Sequence, residues 1–178
     1  MYLTFYSYFL NVKDFNIEDI KQMIENGSND WNWGLHIACH IGHIKIIKLM
    51  IDHGADDWNL GLFYACDGGH IEIAKFMIES GANNWNDGLR TACSCGNIEI
   101  VNLLIEKGAD NYQRLNNVNN LEFYKLYIKH GGDIDKEKCV ELVIKQDPLY
   151  TIITHHHNNK LINKLPMDLW RYTKEFLI

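Results

Sequence analysis

Apolar and polar positions along this chain fall into a block that recurs in phase. Three full copies begin at Gly34, Gly61 and Gly88 and read GLHIACHIGHIKIIKLMIDHGADDWNL, GLFYACDGGHIEIAKFMIESGANNWND and GLRTACSCGNIEIVNLLIEKGADNYQR. A fixed period of this length is the signature of a repeat architecture, so it governs how every shorter pattern is read.

Each copy predicts two helices. In the first segment Leu35, Ala38, Cys39 and Gly42 recur as Leu62, Ala65, Cys66 and Gly69, and again as Leu89, Ala92, Cys93 and Gly96. The spacing i, i+3, i+4, i+7 marks one helix face, here of mostly small side chains that let neighbouring helices approach closely. In the second segment Ile44, Ile46 and Ile51 recur as Ile71, Ile73 and Ile78, then as Ile98, Ile100 and Ile105. This broader apolar helix ends at a C′ glycine, Gly54, Gly81 or Gly108. One pair of such helices cannot bury its own apolar faces, so the copies must stack into a solenoid.

The period continues in degraded form at both ends, as expected of terminal units that show one face to water. The expected division is a degenerate N-terminal repeat and cap over 1–33, repeats over 34–60, 61–87 and 88–114, and a degenerate repeat over 115–133. A terminal helix pair over 134–157 and a C-terminal helix over 158–178 complete it. Asp147 and Pro148 supply a cap and first-turn residue for the last helix of that pair.

Composition narrows the class. The 178 residues are 47% hydrophobic with only two prolines, which suits one mainly helical domain with a substantial core. The fold class is all-α. A net charge of −6 and the absence of any long basic run argue against a nucleic-acid partner. The apolar start MYLTFYSYFL lacks a basic n-region and a small-residue cleavage site, so it reads as structure and not as a secretory signal. No segment approaches the roughly 18 apolar residues of a membrane span. Cys39, Cys66 and Cys93 share one register and look like small packing residues. Equivalent helices would stand about 8–10 Å apart, beyond the roughly 7 Å Cα limit for a disulfide. Reduced thiols and a cytoplasmic setting are expected.

The segments LHIACHIGHIKIIKLMIDHGAD and ACDGGHIEIAKFMIESGA resemble the ankyrin repeat, with its TPLHLAA…GH…VVKLLL…GAD pattern. The resemblance covers roughly residues 7 to 133. The familiar ankyrin unit is about 33 residues long. The unit here is shorter, both around the TPL turn and in the connecting hairpin. The resemblance therefore implies an ankyrin-type α-solenoid of stacked helix pairs with its projecting β-hairpins clipped to tight turns. Similar shortened units, rich in Asp-Trp-Asn, look like those of the large ankyrin families of giant DNA viruses, which implies a viral protein acting inside a host cell.

Two sets of residues are candidates for partner binding. Trp31, Trp58, Trp85 and Tyr112 recur at one position of the period, and Asn32, Asn59 and Asn86 follow the tryptophans. Either the aromatic and the amide brace a shortened loop by packing and hydrogen bonds, or the aromatics form an exposed docking stripe. The second set comprises positions that vary between copies of constant architecture: His36, Phe63 and Arg90; Ile37, Tyr64 and Thr91; His40, Asp67 and Ser94; and Ile41, Gly68 and Cys95. Ankyrins bind through this helix and the turn before it, so the resemblance places some of these on the concave surface. Neutral drift at solvated positions is the alternative.

Other motifs carry less. His43 and His70, with Asn97 in the third copy, stand where a helix begins and read as hydrogen-bonding structural residues. His70-Ile71-Glu72 matches the H-x-E of zinc deaminases, yet no P-C-x-x-C follows. His155, His156 and His157 are adjacent, and adjacent helical residues point about 100° apart, so they do not chelate one ion. No P-loop, H-E-x-x-H, G-x-S-x-G or dinucleotide-binding motif occurs. No cofactor, metal, small-molecule ligand or catalytic role is expected.

The segment KLPMDLWRYTKEFLI reads as an amphipathic helix opened by Pro166. Its outline resembles an F-box and the F-box-like element that follows ankyrin repeats in poxviral proteins. By that resemblance Leu165, Pro166, Leu169, Phe176 and Leu177 would contact the Skp adaptor of a cullin-type ubiquitin ligase; alternatively the helix closes the solenoid's apolar end. The expected function is non-catalytic protein binding by a monomer, with a ubiquitin-ligase adaptor as the other reading.

Overall fold

The structure, a computed structural model, describes residues 17–113 and 120–131. The chain divides into two units, Met1–Asp110 and Asn111–Ile178. Among the described residues all regular structure is helical. The first unit contains α1 (Ile17–Glu25), α2 (Trp31–Ile41), α3 (Ile44–Asp52), α4 (Trp58–Gly68), α5 (Ile71–Glu79), α6 (Trp85–Cys95) and α7 (Ile98–Lys107). The second contributes α8 (Leu121–Lys129).

The helix pairs α2/α3, α4/α5 and α6/α7 each pack internally, and α2 packs on α4 and α4 on α6 along their lengths. The first helices meet through fully buried Leu35, Ala38 and Cys39 and their equivalents. Gly61 and Gly88 belong to the same interface. A Cβ at Gly61 would stand 2.6 Å from Met77 Sδ and 3.6 Å from Cys39 Sγ of the preceding pair; one at Gly88 would stand 3.2 Å from Leu104 Cδ1 and 3.4 Å from Cys66 Sγ. A glycine inside a helix costs about 1 kcal/mol against alanine; here it admits both a second-helix side chain and the neighbouring thiol.

The second helices bury Ile46, Ile47 and Met50, then Ile73, Ala74 and Met77, then Ile100, Val101 and Leu104. Bulkier side chains hold them further apart, and α1 against α3 and α5 against α7 touch at few points. The copies of the first unit are therefore joined chiefly through their first helices.

Two glycine positions end the helices. After α3, Gly54 adopts φ +103°, with Gly54 N–H donating to Ile51 O at 2.9 Å and Ala55 N–H to Met50 O at 3.0 Å. This is a Schellman closure, which needs a left-handed residue, and it recurs after α1, α5 and α7. Gly42, Gly69 and Gly96, read from spacing as part of the first-helix face, are instead the C-caps of α2, α4 and α6, with φ of 83°, 75° and 78°. Spacing i+7 alone does not separate a face residue from a cap; the positive φ does. The first helices also begin at Trp31, Trp58 and Trp85, one turn before the glycines on which the copies were phased. Only a short turn, such as Ala55, Asp56 and Asp57, separates the Schellman glycine from the next first helix.

In the second unit α8 is capped by Asn120, whose side chain accepts from Glu122 N–H at 2.9 Å, and it buries Leu121, Phe123, Tyr124 and Tyr127.

Candidate functional site

So short a turn has backbone donors that no helix satisfies, and the structure shows where they go. Asn32 Oδ1 accepts from Asp56 N–H at 2.8 Å and Asp57 N–H at 3.0 Å. Asn59 Oδ1 accepts from Asn83 N–H and Asn84 N–H, each at 2.9 Å. Asn86 Oδ1 accepts from Asp110 N–H at 3.0 Å. Each asparagine on a first helix thus holds the turn of the next copy. At two of the three, the amide Nδ2 also donates to a carboxylate: Asn32 to Asp56 Oδ1 at 3.2 Å, and Asn86 to Asp110 Oδ1 at 2.9 Å.

The tryptophans are half-buried and lie against the end of the second helix of their own pair. Trp31 packs on His53 with ring centroids 4.9 Å apart. Trp58 lies against Gly81, and Trp85 against Gly108; Trp85 Nε1 also donates to Ala82 O at 3.1 Å. Within the second unit Tyr112 stacks on His130 at 4.5 Å. Amide and aromatic are both engaged in closing the turns, and part of each ring stays open to solvent.

The second rung between copies comes from the caps of the second helices. His43 Nδ1 accepts from Ile46 N–H at 3.4 Å. His70 Nε2 reaches back 3.0 Å to His40 O, and Asn97 Nδ2 donates to Cys66 O at 2.8 Å. A Cβ at Gly68 would collide with His40 O and lie 2.8 Å from the His70 ring, so this position of α4 is held to glycine.

Among the variable first-helix positions the structure makes a division. His40, Asp67, Arg90 and Ser94 are exposed, and Ile37, Phe63 and Tyr64 are half-buried. His36 and Thr91 are buried, at 4% and 8% exposure. These two candidates are therefore enclosed in the stack, while their counterparts at the same repeat positions, Phe63 and Arg90 for His36 and Ile37 and Tyr64 for Thr91, are half-buried or exposed. Thr91 Oγ1 donates to Asp87 O at 3.1 Å. His36 stacks on Tyr64 at 5.6 Å and meets Trp33 edge-on at 6.3 Å. Its Nε2 lies 3.5 Å from Asp57 Oδ2, and neither ring nitrogen has a hydrogen-bond partner among the described residues. Burial pulls the His36 pKa down, and the nearby Asp57 carboxylate only partly opposes it.

Tyr64 is the centre of this surface. It also meets His40 edge-on at 6.2 Å and Phe63 at 5.4 Å. His40 Nδ1 stands 3.2 Å from Asp67 Oδ2, and the Cys95 thiol donates to Asp67 Oδ1 at 3.3 Å. Side chains of three successive first helices are joined in one continuous patch. Trp33 belongs to it through His36, and Leu60 and Asp87 hold the same repeat position on α4 and α6; all three were missed, because phasing the copies at glycine left these equally variable positions at the end of the preceding block. Leu165, Pro166, Leu169, Phe176 and Leu177 lie outside the described residues.

Among the described residues no group of three metal-ligating side chains is arranged to hold an ion, and no helix is long and apolar enough to cross a membrane. Cys39, Cys66 and Cys93 are buried free thiols whose pKa is pushed up to about 12, chiefly by burial.

The family model described as ankyrin repeats (3 copies) matches residues 9–87 and 59–114. The matched residues span more than half of the 178-residue chain. No curated protein matches it.

Proposed function

We propose that this chain, which belongs to the ankyrin repeat family, engages a partner protein through the first-helix face formed by α2, α4 and α6. Membership of the family makes it a protein–protein interaction module; the face and the mode are the proposal. One observation carries it. Residues 33, 36, 37 and 40 and their equivalents differ in every copy, while the caps, the asparagine rungs and the buried faces around them stay nearly constant. A rigid helix array that holds changing side chains in place binds without a large ordering cost. Phe63 and Tyr64 would be the anchors, as aromatic residues commonly are.

A photo-crosslinking residue placed at Phe63, and in a second protein at Lys48 on the exposed side of α3, tests the reading in cells. Discrete protein adducts should form from position 63 and not from position 48. Equal adducts, or adducts from position 48 alone, would remove the first-helix face from consideration.

The finer reading places the chain in the cytoplasm of a cell infected by a large DNA virus, acting on a host protein; it is supported by the resemblance of the shortened units. In its adaptor form, Leu165, Pro166, Leu169, Phe176 and Leu177 would recruit a cullin-type ubiquitin ligase, on the sequence outline alone. A pull-down that compares the intact chain with one ending before Leu165 tests it. Failure of the intact chain to retain the Skp adaptor ends that form of the proposal.

A further inference from the structure

The charge on the docking side of the first unit is lopsided. Asp30, Asp56, Asp67, Asp87 and Asp110 are exposed and Asp57 is half-buried, all on first helices or the turns before them. Across residues 30–42, 54–69 and 81–96 the only Lys or Arg is Arg90, whose Nη2 lies 3.8 Å from Asp87 Oδ1. Lys45, Lys48, Lys75 and Lys107 all belong to the second helices. The polar neighbours of these aspartates are mostly neutral: Leu60 N–H at Asp57, the Asn32 amide at Asp56, the Asn86 amide at Asp110, and the Cys95 thiol at Asp67. They orient the carboxylates without cancelling their charge. Burial lowers the pKa of His36 beside Asp57, and His40 is the remaining imidazole of these segments, beside Asp67.

Apolar surface accompanies this acidic row. Leu60 is 37% exposed, one of two large apolar side chains in that state among the described residues, and Trp33, Ile37, Phe63 and Tyr64 are half-buried next to it. An excess of one charge sign around an apolar strip attracts a ligand of opposite sign and rejects one of like sign.

We propose that the partner of this face is a cationic amphipathic peptide segment, its Lys or Arg side chains meeting the aspartate row while its apolar side chains cover Leu60, Phe63 and Tyr64. The inference rests on the first-helix face being the docking site. Stacked helices recur about every 8–10 Å, and a polyproline II segment advances about 3.1 Å per residue with three residues per turn. A basic residue at every third position of such a segment therefore points to one side and keeps step with the copies.

The test uses the full chain and two labelled peptides of about 15 residues, enough by extended length to cross the three first helices. One consists of Lys-Leu-Ser triplets, the other of Glu-Leu-Ser triplets. Fluorescence anisotropy should show the lysine peptide binding about tenfold or more tighter than the glutamate peptide, with the difference shrinking as salt rises. The combined variant Asp30→Asn, Asp67→Asn and Asp87→Asn keeps shape and acceptor atoms, and circular dichroism confirms its fold. It should reduce the preference to about threefold or less by the same electrostatic argument.

Equal binding of the two peptides, binding of neither, or an undiminished preference in the triple variant overturns the proposal. The docking reading is judged separately, by the crosslinks from Phe63 and Lys48. Crosslinks confined to position 63 with no lysine preference would leave the face standing and discard only the partner chemistry.

Discussion

Replacing Asn59 by alanine removes the acceptor for two turn amides, Asn83 N–H and Asn84 N–H, both at 2.9 Å. Helix propensity alone argues the other way, since alanine in place of asparagine in a helix is favoured by up to about 0.7 kcal/mol. Two lost hydrogen bonds outweigh this. Each contributes about 0.5–1.5 kcal/mol net, and water replaces part of that because Asn83 and Asn84 are exposed. A net loss of about 1 kcal/mol is expected, or a fall in melting temperature of about 2–4 °C for a chain of this size.

Aspartate at two of the rungs sharpens the test. Asn59→Asp keeps both accepting positions in the first turn of α4, where a carboxylate is favoured by about 0.3–1 kcal/mol; it should stay within about 0.5 kcal/mol of wild type. Asn32→Asp instead sets a carboxylate against Asp56 Oδ1, where the amide nitrogen now donates at 3.2 Å. Like charges about 4 Å apart repel by about 1 kcal/mol even in water, so this variant should be at least that much less stable than Asn59→Asp. Urea unfolding at neutral pH, followed by far-ultraviolet circular dichroism, measures all three. An Asn59→Ala protein as stable as wild type, or equal stability of the two aspartate variants, would refute the role assigned to the rungs.

Gly68→Ala should destabilise more than Gly61→Ala in the same unfolding assay, because the first presses on a backbone carbonyl and the second on the flexible end of Met77; the reverse order would contradict the packing described. The His36 pKa is lowered in the fold from its ordinary 6.5, so the unfolded chain takes up the proton first. Stability should be lost as pH falls below about 6.5 towards the lower folded value, and His36→Phe should flatten that part of a stability–pH profile relative to wild type. Of the four described cysteines, only Cys95 is exposed. Peptide mapping after brief iodoacetamide treatment of the native protein should find Cys95 modified and Cys39, Cys66 and Cys93 protected by burial and by thiol pKa values pushed up to about 12.

Periodicity by itself was enough to specify helix pairs, the buried Leu-Ala-Cys face, the apolar second helices and the glycine that ends them, because each is a local rule repeated three times. It also located the asparagine and the aromatic that close each turn, but left open whether they brace or dock. That depended on contacts between segments distant in the chain, such as Asn32 with Asp57 and Trp31 with His53. The status of Gly42 was hidden for a related reason: a cap and a face residue share the same spacing and differ only in φ. Variation between copies identified candidate surface positions, yet His36 and Thr91 turned out to be buried. Whether a variable side chain faces a partner or lies under its neighbour is set by how closely two first helices approach, and that distance exists only once the copies are stacked. The acidic row has the same origin: its aspartates are scattered along the sequence from Asp30 to Asp110, and stacking brings the first helices that carry them side by side.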